Sequence, residues 1–112
     1  MLTHERLDVC RCSIDFLALL MRILTKMPKG NAILSDQLRR AGMSIPLNIA
    51  EGSGRSTDPD RKHFFLIARG STTECAAILD VCRVMNLVEA GDYEEAKALA
   101  ERIVSMLTKM GR

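Results

Sequence analysis

The sequence predicts an all-α protein: an up-down-up-down antiparallel four-helix bundle whose second helix is kinked near Pro46. Three observations predict it. Apolar residues recur at three- and four-residue spacing through four long segments, the period of a helix face. Short stretches punctuated by Pro, Gly and Asn join those segments, and short connections make antiparallel neighbours. The composition is rich in Leu, Ala and Met and poor in strand formers, with 4% aromatic residues and no Trp, so the core is aliphatic with Met and Cys. At 47% hydrophobic and 27% charged over 112 residues, the chain fits one domain, residues 1–112, with a core and a soluble surface.

The first helix spans about residues 3–27 and holds no internal Gly or Pro. Thr3 is its expected N-cap, and Arg6 replaces the Glu that would complete a capping box. Leu7, Cys10, Ile14, Leu17, Met21 and Leu24 form one apolar stripe. Val9, Cys12, Phe16, Leu20, Ile23 and Met27 form a second, roughly 120–130° away on the helical wheel. A helix at the edge of a bundle needs one such stripe. Two stripes fit a deeply buried helix, or a helix whose second stripe packs on another subunit. The second reading is preferred, because a domain this small has little room to surround one helix. It makes Val9, Phe16, Leu20, Ile23 and Met27 the expected oligomer interface.

Met27-Pro28-Lys29-Gly30-Asn31 is a turn. The second helix follows over about residues 32–52, with Leu34, Leu38, Ala41, Ile45 and Ile49 facing inward. Pro46 removes one backbone donor inside it and crowds the Gly42 carbonyl, so a bend or interruption is expected between Gly42 and Pro46. Gly52 or Gly54 suits a left-handed C-terminal cap. Asp58-Pro59 then reads as N-cap and first helical residue. The third helix covers about residues 59–87, with Phe64, Ile67, Ser71, Cys75, Ile78, Cys82 and Met85 on one face and Ala68 and Leu79 beside it. Glu89-Ala90-Gly91 is a turn, and Asp92 with Glu95 forms a capping box. The fourth helix covers about residues 93–109, with Ala96, Leu99, Ala100, Ile103, Leu107 and Met110 inward.

Chemistry is sparse. No metal site is expected: bundle metal pairs need Glu-x-x-His on two helices, and neither His4 nor His63 follows a Glu at that offset. Cys10, Cys12, Cys75 and Cys82 lack paired Cys-x-x-Cys spacing and read as small core residues. Gly52-Ser53-Gly54-Arg55 is neither a phosphate loop nor a nucleophile elbow. No cofactor and no enzymatic activity are therefore expected. The run Phe16 to Met21 ends at Arg22, well short of the ~20 apolar residues of a membrane span, and no signal-peptide layout is present. A reduced, cytoplasmic protein with no membrane partner is the expectation.

Asn48 lies at the edge of the second helix's apolar face, where a half-buried amide needs partners. Glu51 and Glu74 are candidate polar groups, Arg39 and Arg40 are their expected ion-pair partners, and the expected role is a polar clamp on the register of helices two and three. A ligand site and plain solvated surface are the alternatives. Net charge is only +2, but residues 1–57 carry 8 Lys+Arg against 5 Asp+Glu, and residues 58–112 carry 8 against 9. Arg39, Arg40, Arg55, Arg61 and Lys62 are the candidate nucleic-acid contacts, since guanidinium groups grip phosphate bidentately. A solvated, partly ion-paired surface is the plainer reading of the same residues, and a ring of subunits would repeat each charge.

Gln37-Leu38-Arg39-Arg40-Ala41, Ser44-Ile45-Pro46-x-Asn48-Ile49-Ala50-Glu51-Gly52 and Arg55 together resemble the signature of a bacterial four-helix bundle family. Its members include proteins encoded in intervening sequences of 23S ribosomal RNA genes. Ile67-Ala68-Arg69-Gly70-Ser71 and Glu74 extend the likeness, while Leu47 and Thr72-Thr73 depart from it. The resemblance implies a subunit that assembles into a homopentamer. The family is similar in fold to the accessory protein of diversity-generating retroelements, a basic pentamer that binds nucleic acid and a reverse transcriptase. The expected partners are thus further copies of the chain, and RNA or a nucleic-acid-handling protein. The alternative is a protein-interaction module without nucleic-acid binding.

Overall fold

The computed structural model describes residues 3–112; the capping role expected of the Thr3 side chain lies outside them. Four helices follow in order: α1 (Thr3–Lys26), α2 (Ala32–Ser53), α3 (Asp58–Val84) and α4 (Ala90–Met110). Each packs on its neighbours in sequence and α4 closes on α1, with no diagonal contact among the described residues. Cross-helix contacts fix the antiparallel sense. Leu17 and Leu20 meet Gly42, Gly52 meets Phe65, Arg69 meets Thr108, and Arg22 meets Glu95. Between the helices lie Phe16, Leu20, Ile23, Leu38, Ile45, Ile49, Phe65, Leu79, Ile103 and Leu107, all essentially removed from water. Burying each such side chain contributes roughly 1.5–3 kcal/mol against the entropy of ordering the chain.

On α1 the two stripes take the opposite parts from those expected. Val9, Phe16, Leu20, Ile23 and Met27 are buried inside the subunit's own core, so the stripe expected to form an interface offers no exposed surface. The other stripe is the outer one in part: Leu7 is 51% and Ile14 54% exposed, while Cys10, Leu17, Met21 and Leu24 are half-buried. Leu19, also buried, widens the second stripe into the broader apolar arc. That arc is the one that fits between the two flanking helices α2 and α4.

The helix α2 runs through Pro46 without interruption, although Pro46 leaves the Gly42 carbonyl without its intrahelical donor. Gly52 acts by close approach. A Cβ there would lie 2.8 Å from a Phe65 ring carbon and 3.0 Å from the Arg61 carbonyl oxygen. Neither Gly52 nor Gly54 provides a left-handed cap; the C-cap Gly54 has φ −86°. The left-handed residue is Asn86, with φ 60°. Its amide donates to the Arg83 carbonyl, and the Leu87 amide donates to Cys82 at 2.8 Å. That is the two-bond Schellman closure of α3.

Two further boundaries and one helix face differ from the sequence reading. Thr57, not Asp58, caps α3, its hydroxyl accepting the Asp60 amide. The segment Ala90–Gly91 is already helical, so Asp92 lies in the first turn of α4 rather than at its cap. The buried face of α3 carries Phe65, Ala68, Thr72, Cys75, Leu79 and Cys82, while Ile67 and Met85 are exposed. This face is turned because Ser71 meets Ser44 at its edge and Phe65 fills the notch at Gly52.

Candidate functional site

The polar register between α2 and α3 is built from serines. The Ser44 and Ser71 hydroxyls are hydrogen-bonded at 2.9 Å across the seam. The Asn48 amide donates to the Ser44 carbonyl at 2.8 Å and to the Ser44 hydroxyl at 2.9 Å. Asn48 thus braces the clamp from within α2 and does not cross to α3 itself. Ile45 and Ile49 lie on the adjacent core face and are fully buried. Glu51 and Glu74 take no part: both are exposed, and Glu51 pairs with Arg55 at 3.1 Å. Arg39 and Arg40 are not the ion-pair partners of these glutamates: Arg39 pairs with Asp36 at 3.3 Å, and Glu51 with Arg55.

The five basic candidates fall into two groups. Arg39 and Arg40 lie on the first half of α2, roughly 24 Å along the helix from Arg55 at 1.5 Å per residue. Arg55, Arg61 and Lys62 come together where α2 hands over to α3. The Arg55 guanidinium stacks on the Phe64 ring at 4.6 Å from its centre. Arg61 is ion-paired with Asp58 and donates to the Arg55 carbonyl at 2.9 Å. This guanidinium holds the Asp58 carboxyl below the usual carboxylate range by hydrogen bond and by charge. Arg40 and Lys62 have no acidic partner within ion-pair distance among the described residues.

Beside this group opens a cavity of about 270 Å³ at the end of the bundle, lined by Arg61, Lys62, Lys109 and Arg112 against Glu5 and Asp58. Lys109 and Arg112 were not among the candidates read from the sequence. The signal was available in the topology. In an up-down bundle the last turn of α4 stands at the same end as the first turn of α3, so basic residues in both turns converge.

The thiols are poorly suited to chemistry. Burial, with a smaller push from Glu74, raises Cys75 to about 12. Burial also raises Cys10 and Cys82. A nucleophilic cysteine needs the reverse shift. Among the described residues no three His, Cys, Asp or Glu side chains gather as a metal would require, and no helix is long and apolar enough to cross a membrane.

Fold and surface define an antiparallel four-helix bundle with a charged end and a serine-clamped seam. The family model described as 23S rRNA-intervening sequence protein matches residues 5–109, and the chain belongs to that family. Its structure is similar to a crystal structure of a protein of unknown function from the S23 ribosomal protein family of Bacteroides thetaiotaomicron VPI-5482. The TM-score is 0.86 at 20% identity, covering 93% of this chain and 98% of that one. At that identity the likeness speaks for the fold. No curated protein matches the chain.

Proposed function

We propose that the chain is a non-enzymatic scaffold that assembles with copies of itself, as the pentamer implied by the family resemblance, and engages RNA or a ribonucleoprotein. The observation that carries the assembly is apolar surface left uncovered on one side of the bundle. Leu7 and Ile14 on α1 and Met43 and Leu47 on α2 are exposed, Leu47 to 63%, and the register set by Leu17 and Leu20 against Gly42 brings Ile14 level with Leu47. A second exposed set is Ile33, 77% exposed, at the start of α2 and Val81, Val84 and Met85 at the end of α3, which antiparallel packing brings to the same end of the bundle. Contiguous exposed apolar surface marks an interaction site. A closed ring needs two different patches, one for each neighbour, and the chain offers two. Leu7, Ile14, Met43 and Leu47 replace the buried stripe of α1 as the interface.

The RNA part is supported by Arg55, Arg61 and Lys62 at one bundle end, repeated in each copy. The purely protein-binding alternative is favoured by one observation: Arg39, Arg55 and Arg61 already carry acidic partners. Light scattering at micromolar concentration tests the assembly; the mass of one subunit sinks it. Titration of a single-stranded oligoribonucleotide at two salt concentrations tests the RNA part. Affinity should fall with a slope near 0.7 per phosphate neutralised, and an affinity indifferent to salt leaves the protein-binding reading.

A further inference from the structure

We infer that the cavity lined by Arg61, Lys62, Lys109 and Arg112 is a binding site for a phosphomonoester dianion, supplied by the 5′-phosphate end of an RNA strand. This rests on the RNA reading above. Three arguments select a terminal phosphate over a phosphodiester.

The first is charge. Four cationic side chains face two carboxylates, Glu5 and Asp58. Asp58 is already engaged by Arg61, which leaves Lys62, Lys109 and Arg112 opposed by Glu5. A phosphodiester carries one negative charge, whereas a phosphomonoester carries about −1.5 to −2 at neutral pH and three acceptor oxygens. The surplus of the site matches the second better.

The second is shape. The cavity closes on Phe65, which is 1% exposed, and on half-buried Met110. A recess with an apolar floor admits the end of a chain. A strand passing through needs an open groove on both sides, as in proteins that track the backbone of single strands.

The third is placement of the donors. Arg61 is held by Asp58 and by the Arg55 carbonyl, so little freedom is lost on binding. Gly111 seats the end of α4 against Leu66, where a Cβ would lie 2.8 Å from the Leu66 methyl. Its amide donates to the Leu107 carbonyl at 2.9 Å. This close approach sets Lys109 and Arg112 beside the first turn of α3. Arg55, stacked on Phe64 just outside, is positioned to meet the next phosphodiester along the strand.

The test uses fluorescein-labelled uridine decamers that differ only in a 5′-phosphate or a 5′-hydroxyl, labelled at the 3′ end. Binding is read by anisotropy on the full chain. The 5′-phosphate decamer should bind about tenfold tighter, the size of one added charge-assisted contact. Lys62→Ala with Lys109→Ala should abolish that preference, and Lys29→Ala, in the exposed turn between α1 and α2 at the opposite end of the bundle, should keep it. Lys109→Ala alone, at an exposed position, serves if the double variant is unstable. Equal binding of the two decamers by the unaltered chain overturns the site and leaves the RNA reading standing. If neither decamer binds, the RNA reading falls. Inorganic phosphate then decides the site: shifts of the Lys62 and Lys109 side-chain NMR signals keep it for a small phosphomonoester, and their absence overturns it.

Discussion

The outer surfaces of α4 and α2 differ in kind. On α4, Glu94, Glu95, Glu101, Arg102 and Lys109 meet solvent, and no large apolar side chain of that helix is exposed. On α2, Ile33, Met43 and Leu47 point outward although the helix already buries Leu38, Ala41, Ile45 and Ile49 on its inner side. A helix that borders water needs one apolar stripe. α4 obeys that rule and α2 exceeds it, as do α1 with Leu7 and Ile14 and α3 with Leu66, Ile67, Val81 and Val84. The excess is what an isolated bundle does not use, which is why the proposed assembly uses the α2 side and leaves α4 outermost.

The largest effect should come from charging the α2 side. Leu47→Glu combined with Ile14→Glu is expected to convert the assembly to single subunits by light scattering while helix content is kept. The matched change on the other side, Ala98→Glu on α4, should leave the mass unchanged. Loss of assembly from the α4 variant instead would reverse the comparison.

Next in size is the seam that α2 shares with α3. Gly52→Ala forces a methyl into the Phe65 ring and the Arg61 carbonyl, with an expected cost of about 1–3 kcal/mol. A thermal midpoint lowered by about 4 °C or more is the readout. Gly70→Ala, which meets nothing within 4 Å, should raise the midpoint, since alanine is favoured over glycine by up to about 1 kcal/mol within a helix. A midpoint unchanged by Gly52→Ala would mean that the seam is looser than its geometry.

Asn48→Leu removes the brace on Ser44 and should cost about 1 kcal/mol, more than Arg40→Ala at an exposed position. Equal midpoints for Asn48→Leu and the unaltered chain would dismiss the clamp.

The smallest effect belongs to the α3–α4 side. The Tyr93 hydroxyl, donating at 2.6 Å, and Lys97 at 2.9 Å hold the Asp80 carboxyl below its ordinary range. A depressed carboxyl contributes stability that is fully present above its unfolded pKa, about 3.9, and is lost as pH falls through the lower folded value. Both partners are near the surface, so the contribution is a few tenths of a kcal/mol. Asp80→Asn should therefore flatten the fall of the melting temperature below about pH 4 and do little at neutral pH.

Much of the architecture was readable from spacing alone, because helix faces and short turns are local signals. α2 shows this best, since Leu38, Ala41, Ile45 and Ile49 are buried as expected, with Leu34 half-buried. Rotation about a helix axis was less readable. On α1 two stripes of similar character compete, and only the position of α2 and α4 decides which is inside. On α3 the Phe64–Phe65 pair offered two neighbouring choices, decided by a glycine on another helix. The serine clamp was hidden for the same reason: Ser44 and Ser71 are unremarkable until the antiparallel register puts them opposite each other. Asn48 could be found because it interrupts an apolar face. Lys109 could not be found from its own neighbourhood, because its meaning comes from the end of the bundle it shares with Arg61.

Every connection in the bundle joins helices that touch, and only the closure of α1 on α4 spans the length of the chain. Such mostly local wiring gives a low contact order, and helical bundles wired this way fold in microseconds to milliseconds. Encounter between copies at micromolar concentration is slower, with typical rate constants of about 10⁵–10⁷ M⁻¹s⁻¹. The subunit therefore completes its own fold first, and in the proposed assembly each joining of copies would be a separate event whose rate is set by dilution.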